Sequence, residues 1–292
     1  MADRFEHIGV IGSGLMGSGI TEVCARAGLE VTVVEVDATA AERGRARLEG
    51  SVATAVRRGK LSEEEADRAL ARVAYETDLG ALADRQLVVE AITEDERAKV
   101  ETFRTLDKVV TAGDAIFASN TSSIPIMKLA TVTSRPEQVV GLHFFNPVPV
   151  LRLVELVTSL MTSEETITRA SGFATGTLDK RVIRSQDRAG FIVNALLIPY
   201  LLSAIRMLES GFATRDDIDA GMIEGCAHPM GPLALADLIG LDTMQAVADS
   251  LYEEFKEQLY AAPPLLLRMV EAGLLGRKTG RGFYEYAPKA AR

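Results

Sequence analysis

The chain has 292 residues, 47% hydrophobic and 25% charged, with a formal net charge of −9. That length holds one large or two medium domains with a substantial core. The composition reads as globular, and the acidic balance argues against a general nucleic-acid or anionic-membrane surface. A local basic patch for a phosphorylated ligand remains compatible with it.

Two cysteines, Cys24 and Cys226, fit neither a metal spacing nor a disulfide framework. No run of about 18 apolar residues marks a membrane span. The opening Met-Ala-Asp-Arg-Phe-Glu-His lacks signal-peptide character, so a reducing cytoplasm is the expected compartment.

Residues 7–36 read as strand, glycine turn, helix, strand and acid. Ile8–Ile11 is an apolar strand, followed by Gly12-Ser13-Gly14-Leu15-Met16-Gly17, which opens a helix over Leu15–Ala27. Val31–Val34 is the next strand, and Glu35 ends it. Gly12 suits a tight turn, Gly14 suits close approach of backbone to a pyrophosphate, and Gly17 suits close helix–sheet packing. A helix N-terminus offers unsatisfied N–H groups and partial positive charge to phosphates. A glycine turn packed for structural reasons alone would share the three glycines. The strand–helix–strand frame, with an acid about 20 residues on, favours dinucleotide binding.

Asp37–Arg58 is helical in composition, and Ser62 with Glu65 has capping-box spacing for a second helix. Together they form a helical excursion, with Arg57, Arg58 and Lys60 clustered at its turn; composition alone reads that cluster as a solvated helix end. Val73–Thr77 and Gln86–Ile92 are strands, the latter apolar enough for a buried parallel strand. Glu94 lies just past that strand and Lys99 early in the next helix, near the carboxyl ends where such sheets bind ligands. Ala115–Ser119 is another strand, ending in Ser119-Asn120-Thr121-Ser122-Ser123 before Pro125. Capping accounts for one of these polar residues, not all.

Val139–Phe145 carries His143 in an apolar run, and Leu151–Val157 carries Glu155. A lone histidine or glutamate in such a run is commonly structural, but neighbouring strands each holding one point to a His–Glu pair. A simple hairpin about Pro147 would face His143 with Arg152, so contact with Glu155 requires a bulge or another pairing. Thr162–Glu165 caps a helix to about Leu178, and Arg181–Arg184 is a last strand. From Gly190 onward helices dominate. Gly190–Glu209 is long and apolar, with Asn194 as a polar interruption and Pro199 as an expected kink. Thr214 caps a helix, Pro232 starts one, and Asp242–Leu259 is a further one.

The expected architecture is therefore α/β: a Rossmann-type doubly wound sheet with a helical excursion after the second strand, then an all-α C-terminal domain. The divisions are a dinucleotide-binding domain at 1–186 and a helical substrate and dimerisation domain at 187–292.

These stretches together resemble the L-3-hydroxyacyl-CoA dehydrogenase family, most closely its bacterial 3-hydroxybutyryl-CoA members. The landmarks run through nearly the whole chain: the glycine turn, Val89–Glu94, Ala118–Ser123, Gly141–Pro149, Gly190–Asn194, His228–Pro232, Gly240–Asp242 and Gly276–Tyr284. The resemblance implies His143 as catalytic base, Glu155 as its orienting partner, and Ser122 with Asn194 at the substrate oxygen. It implies cofactor contacts from Gly12, Ser13, Gly14, Leu15, Met16, Gly17, Glu35, Glu94, Lys99, Ser122, Asn146 and Lys278. Ser51, Arg58 and Ser122 fall at CoA-contacting positions, which makes the basic turn a phosphate site after all. An acyl-CoA substrate, a homodimer through the C-terminal helices, and neither nucleic acid, membrane nor metal complete the expectation.

The chain departs from the family pattern at Asp187-Arg188-Ala189, at Ala195, and at Arg58 where lysine is common. Glu35 favours NAD because its charge repels a 2′-phosphate; Arg43 and Arg45 nearby leave NADP open. A gulonate-type sugar-acid dehydrogenase is the alternative on the same scaffold, and Ser51 with the basic turn favours CoA over it. A 6-phosphogluconate-type enzyme would need a lysine in Gly190–Glu209, which has none.

Overall fold

The computed structural model describes residues 5–287. They divide into two compact units, one ending at Arg188 and the other beginning at Ala189. This boundary lies just past the expected 186/187 division. Asp187 belongs with the first unit because its carboxylate oxygens accept from the Ile126 and Met127 amides, each at 2.7 Å.

The first unit is built on an eight-stranded sheet of order β3-β2-β1-β4-β5-β6-β7-β8. The strands are β1 (His7–Ile11), β2 (Glu30–Val34), β3 (Val73–Glu76), β4 (Leu87–Glu90), β5 (Ile116–Ser119), β6 (Val139–Phe144), β7 (Leu153–Thr158) and β8 (Arg181–Gln186). The first six run parallel in the order of a dinucleotide-binding sheet; β7 is antiparallel to β6, and β8 parallel to β7. Near-continuous apolar strands such as β4 and β6 are buried along their whole length, as parallel strands covered on both faces must be. Helices α1 (Leu15–Arg26), α2 (Ala38–Arg57), α3 (Glu63–Leu70), α4 (Glu96–Val109), α5 (Ile126–Ala130) and α6 (Glu164–Gly172) connect the strands. Helices α2 and α3 are the excursion, and Ser62 with Glu65 forms the expected capping box.

Three local expectations are corrected. The helix drawn from Thr162 to Leu178 is α6 followed by a π-helical turn over Phe173–Thr177. The polar run Ser119–Ser123 does not cap α5. Asp187 does so from a distant segment, while Thr121 Oγ1 accepts from the Ser123 and Ile124 amides within the turn. The connection from β6 to β7 does not fold about Pro147. It turns about Pro149, because Val150 and Leu151 amides donate back to the Pro147 carbonyl and Val148 is buried.

The second unit is helical: α7 (Val193–Glu209), α8 (Arg215–Cys226), α9 (Pro232–Ile239), α10 (Leu241–Phe255) and α11 (Pro264–Glu271). Its core is formed by residues including Leu201, Ile205, Leu233, Met244 and Leu251. Helix α7 starts later than Gly190 because Gly190 (φ 72°) and Phe191 (φ 49°) are left-handed, and it runs through Pro199 as one helix. Helix α10 stops at Phe255, where Lys256 adopts φ 54°, short of the expected Leu259. No helix among the described residues is long and apolar enough to cross a membrane.

Candidate active site

The glycine turn sits where β1 hands over to α1. Gly12 has φ 88°, and a Cβ there would lie 2.8 Å from the Ala91 carbonyl oxygen. A Cβ on Gly17 would lie 1.9 Å from the Gly12 oxygen, so the helix packs against the turn as the spacing predicts. A Cβ on Gly14, the N-cap of α1, would meet nothing within 4 Å. The turn thus has two glycines forced by packing and one facing open space, beside a helix N-terminus with no side-chain cap. That is the shape a pyrophosphate requires.

Glu35 reaches this turn from the end of β2. Its Oε1 accepts from both the amide and the hydroxyl of Ser13, and its Oε2 from the Val36 amide at 3.1 Å. Two residues of α2 that sequence reading missed complete the arrangement. Arg47 Nη1 donates to the Ser13 carbonyl at 2.6 Å, and Gly44 packs on Ser13 so closely that a Cβ would lie 1.8 Å from its Oγ. Arg45 stacks on Tyr75, 4.8 Å from the ring centroid.

The ends of β4 and β5 carry a buried ionic network. Lys99 Nζ lies 2.5 Å from Glu90 Oε1 and 3.3 Å from Glu94 Oε2. Glu90, fully buried and given no role from sequence, also accepts from Ser119 Oγ at 2.6 Å and the Ile92 amide at 2.8 Å. Glu94 gathers the next turn: it accepts from Thr121 Oγ1 at 2.5 Å, the Ser122 amide at 2.8 Å and the Ser123 hydroxyl at 3.2 Å. Partial burial pushes the Glu94 carboxyl upward, but the Lys99 ammonium and these donors outweigh it and hold it below the usual carboxylate range. Lys99 itself is 1% exposed, so its charge is spent on holding the two carboxylates rather than presented outward.

His143 and Glu155 are Cα partners across β6 and β7, so their side chains share one face. His143 Nδ1 lies 2.7 Å from Glu155 Oε2, with Glu155 fully buried and His143 nearly so. A carboxylate has no proton to give, so Nδ1 carries the hydrogen and Nε2 is the basic nitrogen. Phe145 packs on the imidazole at 4.6 Å between centroids, and Asn120 Oδ1 accepts from the Phe144 amide at 2.9 Å, tying β6 to the polar turn after β5.

The remaining predicted residues are spread more widely. Ser51 and Arg58, two helical turns apart on α2 and at its C-cap, are both exposed on one side of the excursion. Asn146 is exposed in the β6–β7 connection. Asn194 lies in the first turn of α7, within the second unit. In that unit Lys278 is paired with both carboxylate oxygens of Asp242 at 2.5 Å. No cluster of potential metal ligands occurs among the described residues.

Residues 7–188 match the 3-hydroxyacyl-CoA dehydrogenase NAD binding domain, and residues 190–286 match the C-terminal domain of the same enzymes. The chain belongs to the 3-hydroxyacyl-CoA dehydrogenase family. It is 59% identical over 286 residues to a 3-hydroxybutyryl-CoA dehydrogenase of Mycobacterium tuberculosis, covering 98% of this chain and 100% of that one. The crystal structure of M. tuberculosis FadB2 superposes with a TM-score of 0.97 at 59% identity, over 98% of this chain and 100% of that one. The (S)-3-hydroxybutyryl-CoA dehydrogenase PaaH1 of Ralstonia eutropha superposes at 0.91 and 44% identity, over 97% and 100%. In this family setting, the NAD-binding half is the sheet that carries Gly12–Gly17 and Glu35.

Proposed function

We propose that the protein interconverts (S)-3-hydroxyacyl-CoA and 3-ketoacyl-CoA thioesters with NAD, preferring short acyl chains of the 3-hydroxybutyryl class. The single observation that carries the chemistry is the His143–Glu155 pair at 2.7 Å. The names of the relatives support the thioester substrate and favour it over a sugar acid.

The residues present suit NAD: Gly14 leaves room that a Cβ would take, and Glu35 stands beside the turn as a carboxylate that disfavours a 2′-phosphate. NAD, when bound, supplies the acceptor for the hydride that leaves C3. His143 Nε2 takes the C3 hydroxyl proton in oxidation and returns it in reduction. Glu155 keeps Nδ1 protonated and stabilises the imidazolium as it forms. Ser122 positions the oxygen from the turn that Glu94 holds. Asn194 joins it by family resemblance.

Ser51 and Arg58 are the proposed contacts for CoA, with Arg58 offering a planar fork to a phosphate. Asn146 and Lys278 stay with the cofactor on the same resemblance, whereas Lys99, buried against Glu90 and Glu94, acts on the cofactor site only by holding Glu94 in place. A homodimer through the helical unit is supported by its exposed apolar side chains, Leu196 at 72% and Phe212 at 79%. Two thiols without a disulfide suit a cytoplasmic location.

A panel of acetoacetyl-CoA, longer 3-ketoacyl-CoA thioesters and free acetoacetate, each with NADH, tests the substrate. Acetoacetyl-CoA is expected to be reduced far faster than the free acid. Equal rates would return the site to small free acids.

A further inference from the structure

A second concave region of the first unit is not used by the reading above. It has a volume of about 580 Å³ and lies among the C-terminal end of α1, helix α3, the β6–β7 connection and the approach to β8. Its size is within the range of small-ligand sites, roughly 300–1,000 Å³. None of the glycine turn, Glu35, Ser51, Arg58, Ser122, His143 or Glu155 lines it.

Its charge is opposite to that of the chain. Arg26, Lys60, Arg68, Arg72, Arg152 and Lys180 line it, in a protein whose formal net charge is −9. The two carboxylates on the wall, Glu65 and Asp179, are engaged: Glu65 in the Ser62 capping box and Asp179 with Arg152 at 2.8 Å. Arg26, Arg68 and Arg72 pair with Glu22, Glu64 and Glu30, carboxylates that do not line the cavity. A guanidinium carries five N–H donors, so one such pair leaves capacity for a further anion. Lys180 donates to the Val148 and Leu151 carbonyls at 2.5 and 2.8 Å, closing one wall. Burial first, then the neighbouring Arg26 guanidinium, hold the Lys180 ammonium below its ordinary value.

We infer that this cavity is a second anion-binding site, separate from the cofactor and acyl-CoA contacts, that takes a ligand carrying two or more linked phosphates. The six cations come from α1, α3, the excursion turn and three connecting segments, so they line the cavity from several sides. A chain of phosphates meets several guanidinium forks at once, where arginine is most effective. The inference does not depend on the dehydrogenase reading, because binding is measured without turnover.

The test is isothermal titration calorimetry of the full chain with inorganic tripolyphosphate, then with ATP. The comparison is an Arg68→Gln/Arg152→Gln variant, which leaves the basic turn at Arg57, Arg58 and Lys60 intact; Arg68 and Arg152 are 57% and 69% exposed, so their loss leaves no cavity in the core. The wild type is expected to bind one tripolyphosphate, and the variant about tenfold or more weakly, with an unchanged KM for acetoacetyl-CoA. Saturating NADH and acetoacetyl-CoA should leave tripolyphosphate binding intact, as should Arg58→Ala. Absence of saturable binding, equal binding by the double variant, or competitive displacement by acetoacetyl-CoA or NADH would each overturn the inference.

Discussion

His143 and Glu155 face each other directly across an antiparallel strand pair, and the imidazole Nδ1 lies 2.7 Å from the carboxylate. This contact fixes which ring nitrogen is basic. Glu155→Gln keeps the shape but can offer the ring either a donor or an acceptor, so the tautomer is no longer set. We expect kcat to fall by about 10²–10⁴-fold, in the range for losing oriented acid–base catalysis, with NADH affinity unchanged. Steady-state rates and NADH fluorescence titration check both halves; a Gln variant turning over normally would detach Glu155 from the chemistry.

The buried Lys99–Glu90 pair makes a different prediction. Lys99→Met leaves Glu90 buried without its cation, and breaking such a pair costs about 3–5 kcal/mol. The double change Glu90→Gln/Lys99→Met should recover much of that loss, because both charges go together. Denaturant melts of the four proteins give the coupling directly. Strictly additive losses would show that the two charges do not depend on each other.

Glycine replacements separate packing from ligand contact. Gly17→Ala places a methyl 1.9 Å from the Gly12 oxygen, so the turn must move. Gly14→Ala meets nothing within 4 Å in the protein. Gly17→Ala is therefore expected to lower stability by about 1–3 kcal/mol, as overpacking does. Gly14→Ala should keep the melting temperature and weaken NADH binding. A Gly14→Ala protein with unaltered NADH affinity would argue that no phosphate approaches there.

The pH dependence of stability has a contributor in Glu94. Its carboxyl is pushed up by burial but held lower, on balance, by Lys99, Thr121 and Ser122. A group depressed on folding adds stability above its unfolded pKa, ~4.3 for glutamate, and loses it as pH falls through the folded value. Glu94→Gln should therefore flatten the urea midpoint against pH between about pH 5 and pH 3. A slope identical to the wild type would remove Glu94 from the acid response.

The two thiols should differ sharply. Burial pushes the Cys24 thiol up to about 12, whereas Cys226 is exposed. A thiol-specific disulfide reagent at neutral pH should label only Cys226 in the folded protein and both cysteines in denaturant. Rapid labelling of Cys24 in the native state would contradict the packing of α1.

What was legible in the sequence was whatever local geometry dictates. The glycine turn is such a case, because the spacing of Gly12, Gly14 and Gly17 is itself the constraint. The capping box at Ser62 is another. Residues whose role depends on register were harder to read. His143 and Glu155 were visible as neighbours, but their alignment needed the connection to turn about Pro149, which follows from Val148 seating against Gly19 of α1. Glu90 carries no signal in the sequence, because an acid inside a buried strand has meaning only once Lys99 and Ser119 are beside it. Arg47 and Gly44 reach Ser13 through packing of α2, which no local pattern encodes. Asp187 caps a helix far away in sequence, and no local pattern assigns it that role ahead of one of the polar residues Ser119–Ser123.

The central claim is that His143 moves the proton in a nicotinamide-dependent oxidoreduction of a hydroxyacyl thioester. The most direct measurement is acetoacetyl-CoA reduction by NADH in His143→Ala, alongside NADH binding to the same protein. The account predicts NADH bound as in the wild type and turnover reduced by about 10²–10⁴-fold. Near-wild-type turnover with NADH still bound would contradict it.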